Sequence, residues 1–173
     1  MGKVSSGSLV RLGNQELTEY SSPIYQRGLQ LVKELEKDRT ISFPDPELEA
    51  VVRISVGKPD GDLKSKDIKS LKVLNAPRHN ISSLQGIEQL VSLKEIHLMG
   101  NQVESLDPLE HLVNLRIINL SHNRITNLKG LAKLKNLHRL YLGRNQINDL
   151  QPLTGLTKLK DLVLSYNEIE EIQ

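Results

Sequence analysis

"LRIINLSHNRITNL" (residues 115–128) carries the spacing that decides the fold. Alternate side chains of an extended strand face opposite ways. In that reading Ile118 and Leu120 point inward, while Ile117, Asn119 and Ser121 point outward. The alternation then stops and the chain must turn. Asn123 stands at the turn, where its amide can pair with backbone groups that no strand ladder satisfies. Ile125, Leu128, Leu131 and Leu134 follow at the wider spacing of a return path made of short helical or 3₁₀ turns. A segment of this size cannot bury its own leucines, so it needs copies of itself on either side.

The copies are present. Asn101, Asn145 and Asn167 flank Asn123 at steps of 22 residues. The cores read "LKEIHLMGNQV" (93–103), "LRIINLSHNRI" (115–125), "LHRLYLGRNQI" (137–147) and "LKDLVLSYNEI" (159–169). A degenerate first copy, "LKVLNAPRHNI" (71–81), has Ala76 for Leu and His79 for Asn. This is the leucine-rich repeat pattern L-x-x-L-x-L-x-x-N-x-L, made strong by its fixed period. It predicts an α/β solenoid with a parallel sheet on the concave face and short helical or 3₁₀ turns on the convex face. The returns "SLDPLEHL" (105–112), "NLKGLAKL" (127–134) and "DLQPLTGL" (149–156) are short and align Pro108, Gly130 and Pro152 in one column.

Bulk composition narrows the function classes. The chain has 173 residues and a net charge of +2, which by itself demands neither nucleic acid nor an anionic membrane. Aromatic residues make up 3%, with no Trp and one Phe, so burial must rest on aliphatic side chains. With no Cys, disulfides and thiolate chemistry are excluded. No apolar run reaches the length of a membrane span or a signal-peptide core. The opening "MGKVSS" matches a myristoylation pattern, but residues 1–20 read better as a disordered or vector-derived start.

Both ends of a solenoid need cover. Residues 41–70 read as a helical cap: Asp45 as N-cap, Pro46 in the first turn, a stripe of Leu48, Val51, Val52 and Val56, and Gly57 as the stop. "SKDIKSL" (65–71) offers a second short helix, capped by Ser65. Ahead of them, "SSPIYQRGLQLVKELEKDRT" (21–40) reads as an extra amphipathic helix. Residues 71–173 are the repeats, about four full copies and a partial last one. No capping pattern follows Ile169 and Ile172, so the C-terminal edge is expected to continue in a longer chain or to be covered by another one.

The stretches "ISFPDPELEAVV" (41–52), "DLKSKDIKSLKVLNA" (62–76) and "ISSLQGIEQLVSLKEIHLMGNQV" (81–103) resemble the cap and first repeats of the internalins, with Phe43, Pro44 and Asp45 as the entry. The resemblance covers roughly residues 41–173. It implies a bacterial array that binds other proteins, often through the concave face, and favours an exported or cell-surface setting.

Residues that could carry chemistry do not assemble. "DGDLKSKD" (60–67) matches only the later half of a calcium loop, since Val56 and Lys58 fall where acidic ligands are needed. Of the histidines, only His97 and His122 are expected on the concave side, without a third ligand, so no metal or cofactor is expected. No catalytic triad, paired carboxylates or phosphate-cradling loop can be placed, and the enzyme reading has no residues behind it.

Binding is better supported. The concave columns run Glu95, Ile117, Arg139, Asp161; then His97, Asn119, Tyr141, Val163; then Met99, Ser121, Gly143, Ser165; then Gly100, His122, Arg144, Tyr166. Tyr and Arg are enriched at interface hot spots. The partner-binding set is therefore Glu95, His97, Met99, Ile117, Asn119 and His122 with Arg139, Tyr141, Arg144, Asp161, Val163 and Tyr166. The leading expectation is a non-catalytic module binding a protein partner. The rival is a structural spacer in a larger protein. A nucleic-acid or acidic-partner binder using the basic column Lys72, Lys94, Arg116, His138 and Lys160 ranks below both.

Overall fold

The computed structural model describes residues 26–31 and 38–169. The chain divides between Lys37 and Asp38. In the first part residues 26–31 are helical. The expected start at 1–20 and most of the helix at 21–40 lie outside the described residues, as does Ile172.

In the second part the repeats form a parallel five-stranded sheet in sequence order: β1 Val73–Asn75, β2 Glu95–His97, β3 Ile117–Asn119, β4 Arg139–Tyr141 and β5 Asp161–Val163. The register places Leu74, Ile96, Ile118, Leu140 and Leu162 in one inward row. The returns are the 3₁₀ turns Ile87–Gln89, Asp107–Leu109, Lys129–Leu131 and Gln151–Leu153. Leucine and isoleucine fill the space between the sheet and these turns, so an almost wholly aliphatic core runs the length of the array. Gly130 is required in its turn, because a Cβ there would collide with the Leu106 carbonyl oxygen.

One inward residue departs from expectation. Leu162 is 41% exposed, whereas its four partners in the row are fully buried. β1 and β5 each pair with a strand on one side only, but the cap helix packs against β1 and no element among the described residues covers β5.

The cap is a helix, Pro46–Val56, which buries Leu48, Val51 and Val52 and packs against β1. Gly57 ends it in the left-handed region at φ 67°. There Gly57 N–H donates to Ile54 O and Lys58 N–H to Arg53 O, the bond pattern of a glycine-terminated helix. A second helix spans Ser65–Ile68. Ser65 is not its cap: it lies inside the first turn, and its hydroxyl accepts from Arg39 N–H and donates to Asp38. Asp67 instead reaches back to accept from Lys64 N–H at 2.8 Å and Lys58 Nζ at 2.6 Å. The Lys58 ammonium, helped by that N–H, holds the Asp67 carboxyl below the ordinary range.

The asparagines do more than turn the chain. Asn123 Oδ1 accepts from Val103 N–H in the preceding coil. Its Nδ2 donates to Leu98 O, also in the preceding coil, and to Leu120 O in its own. Asn101, Asn145 and Asn167 repeat this arrangement. A second polar row runs along the descending side, where Ser92, Asn114 and Asn136 each donate to a carbonyl one coil earlier. Lys158 takes the next position and meets Asn136 Oδ1 instead.

The first asparagine position is His79, which is exposed, and here the cap takes over. Asp45 Oδ1 accepts from Glu47 N–H and Leu48 N–H. Its Oδ2 accepts from Ser82 N–H, Ser82 Oγ and Ser83 N–H. One buried carboxylate thus caps the helix and fastens it to the first coil. Burial pushes the Asp45 carboxyl up, but the N–H groups of Ser83, Ser82 and Leu48 outweigh it, and the net direction is down.

Asn123→Ala strands the buried Val103 N–H and leaves Leu98 O and Leu120 O with one donor each, from Asn101 and Asn145, and is expected to cost about 2 kcal/mol by denaturant unfolding. Asp45 is expected to shape the acid limb of stability. Its folded-state value is the depressed one, so its contribution is complete above the ordinary carboxylate range near pH ~4 and drains away as pH falls through the depressed value. Asp45→Asn, with an amide aimed at the Ser82 and Ser83 N–H groups, should lower stability at neutral pH and flatten that limb.

Candidate partner-binding surface

The sheet register brings the predicted columns together. Glu95, Ile117, Arg139 and Asp161 lie side by side, as do His97, Asn119, Tyr141 and Val163. Val73 and Asn75 extend these columns into the first coil. Sequence reading left them out because that copy is degenerate; the aligned offset from Leu71 was the available signal. Met99 lies just past the end of its strand and is half-buried.

The fourth column is not part of the sheet. His122, Arg144 and Tyr166 adopt positive φ of 58°, 57° and 60°, and Gly100 and Arg78 in the same column do likewise. The chain leaves the sheet here through a left-handed residue immediately before each asparagine or its substitute. Side chains are rarely tolerated in that conformation. The asparagine bonds that follow hold it in place.

The candidate residues are partly paired with each other. Arg139 Nε lies 3.2 Å from Asp161 Oδ2, with both side chains 54% exposed. His97 Nε2 lies 3.2 Å from Glu95 Oε2. Asn119 Oδ1 accepts from Ser121 N–H. The Arg144 guanidinium lies over the Tyr166 ring at 4.5 Å from its centroid, and Tyr166 is 73% exposed. Tyr141 is half-buried beside Val163, which is exposed. Gly143 supplies no side chain between Tyr141 and the turn; a Cβ there would press on Ser165. At the C-terminal half, then, a ring, a guanidinium and an aliphatic side chain share one exposed patch. Ile117 lies in the central strand β3, and His122 stands one coil before Arg144 in the turn column.

A family profile described as "Leucine Rich repeats (2 copies)" matches residues 113–155 and 135–173. Among curated proteins none matches the sequence significantly. Among solved structures, an internalin of Listeria monocytogenes (InlF) is similar with a TM-score of 0.66 and 27% identity, covering 75% of this chain and 46% of that one. Internalin C2 of the same organism is similar with a TM-score of 0.57 and 28% identity, covering 75% of this chain and 68% of that one. The chain therefore spans less than half the length of the first relative. Its fold is similar to that of the internalins, the resemblance that the cap sequence implied. Such a fold is a protein-interaction scaffold.

Because the Arg139–Asp161 pair is half-exposed, it contributes little to folding. Arg139→Ala is expected to change stability by less than about 0.5 kcal/mol in thermal unfolding.

Proposed function

We propose that this array is a non-catalytic module that binds a protein partner through its concave side, centred on Tyr141, Arg144, Val163 and Tyr166. The observation behind the reading is the Arg144–Tyr166 stack at 4.5 Å on a largely exposed ring. A guanidinium held over a ring is already ordered, so less side-chain freedom is lost when a partner docks. The exposed Val163 beside Tyr141 supplies apolar area that the core does not use. Arg139 and Asp161 can exchange their mutual contact for contacts across an interface. A spacer has no use for such a patch. The relatives are bacterial internalins, and an exported or surface setting follows as part of the same proposal.

The test begins with a partner captured from candidate host or bacterial surface proteins. Tyr141→Ala and Arg144→Glu are each expected to weaken its binding by about 2 kcal/mol in calorimetry, the scale of interface hot spots. Glu110→Ala, on the convex side, should leave it unchanged. Loss of binding in Glu110→Ala alone would move the site to the other face.

A further inference from the structure

The descending edge of the array, where each return meets the next strand, carries a charge pattern found nowhere else on it. Its segments are residues 69–72, 91–94, 113–116, 135–138 and 157–160, reading KSLK, VSLK, VNLR, KNLH and TKLK. They contain no carboxylate. Lys72, Lys94, Arg116 and Lys160 are exposed at one repeat position, with His138 among them. Lys69, Lys135 and Lys158 lie earlier in the same segments. Lys135 meets Gly155 O and Lys158 meets Asn136 Oδ1, both uncharged. None of these cations forms an ion pair among the described residues. Elsewhere Lys58, Lys64, Lys66, Lys133, Arg53 and Arg139 do, while Arg39, Arg78, Arg124, Lys129 and Arg144, unpaired among the described residues, do not line up in a row free of carboxylates.

The backbone leaves these side chains no structural duty. The carbonyls of Lys72, Lys94 and Arg116 each accept two N–H groups from the next coil, so the stacking is done by main chain. Rows in a parallel sheet are about 4.8 Å apart, and like charges at that spacing repel. The concave column next to it alternates in sign, with Arg139 against Asp161; the edge never does. A row of unneutralised cations is a standing cost that an anionic ligand would relieve.

We infer that this edge is a second interaction surface, separate from the concave patch and independent of it, whose ligand is an extended acidic protein segment. Three observations select that ligand over other polyanions. The strip is narrow, because Glu95 and Asp161 begin in the very next column, and a broad polyanion would meet them. The edge segments hold no aromatic residue on which bases could stack. Val91 and Val113 are 62% and 48% exposed within the same segments as Lys94 and Arg116. Aliphatic side chains placed among cations suit a peptide that mixes carboxylates with apolar residues, and a phosphate backbone makes no use of them.

The test uses the intact chain and three probes: a synthetic peptide mixing glutamate with valine, an oligothymidylate of equal charge, and phosphatidylserine vesicles. Tight, salt-sensitive binding of the peptide is expected, with Lys94→Glu and Arg116→Glu together weakening it about tenfold or more. Val113→Ser should weaken the peptide alone. Arg124→Glu, on the opposite ascending edge, should change it by less than about twofold. Circular dichroism melting checks that each variant is folded. The inference is overturned if the peptide fails to bind, if oligothymidylate or vesicles bind the same residues more tightly, or if Arg124→Glu weakens binding as much as the edge variants. Tyr141→Ala, which probes the concave proposal, should not affect peptide binding, so the two readings fail separately.

Discussion

The structure hangs on a buried amide. Each turn out of the sheet leaves backbone groups that the parallel ladder does not reach, and the asparagine at that turn satisfies them. Asn123 accepts from one coil and donates both to that coil and to its own. A carbonyl and an amino group on one short planar side chain are what the site needs. Aspartate could only accept, and glutamine would carry the amide too far. The aliphatic core supplies most of the stabilisation, yet aliphatic side chains alone do not select one register. The amide row does, because slipping one coil against the next would leave buried polar groups unpaired.

The same row dictates where the surface can vary. A residue immediately before each asparagine is held at positive φ, and in this chain those positions carry Arg78, His122, Arg144 and Tyr166 as well as Gly100. Backbone held this firmly presents its side chains in fixed directions. The Arg144–Tyr166 stack joins two successive members of that column. A structural device of the core thus becomes a rigid display on the surface, which is the property a binding module requires. Where the row ends at His79, the cap replaces it with a carboxylate. Asp45 can serve there because every group it meets is a donor.

Much of this was legible in the sequence. The 22-residue step of Asn101, Asn123, Asn145 and Asn167 prescribes a stacked coil, and the alternation of Ile117, Ile118 and Asn119 prescribes which side faces inward. Both follow from chain geometry that does not depend on distant residues. The cap helix was legible for the same reason: Asp45, Pro46 and Gly57 act on the backbone beside them. The candidate surface was legible as a set of columns.

What tertiary structure alone decided is how side chains far apart in sequence share their bonding. Ser65 has the residue type of a helix cap, but its hydroxyl is taken by Arg39 and Asp38, and Asp67 bonds to the helix start instead. Asp45 was expected to cap one helix; that it also binds Ser82 and Ser83 depends on how the helix lies against the first coil. Arg139 and Asp161 were read as neighbours in one outward column; that they pair at 3.2 Å is a property of the stacked coils. The second row of Ser92, Asn114 and Asn136 has no local signature at all. Local pattern sets the path of the backbone because it acts through φ, ψ and the inward or outward side. Hydrogen-bond and ion partners are chosen by distance in space, which only the stacked coils define.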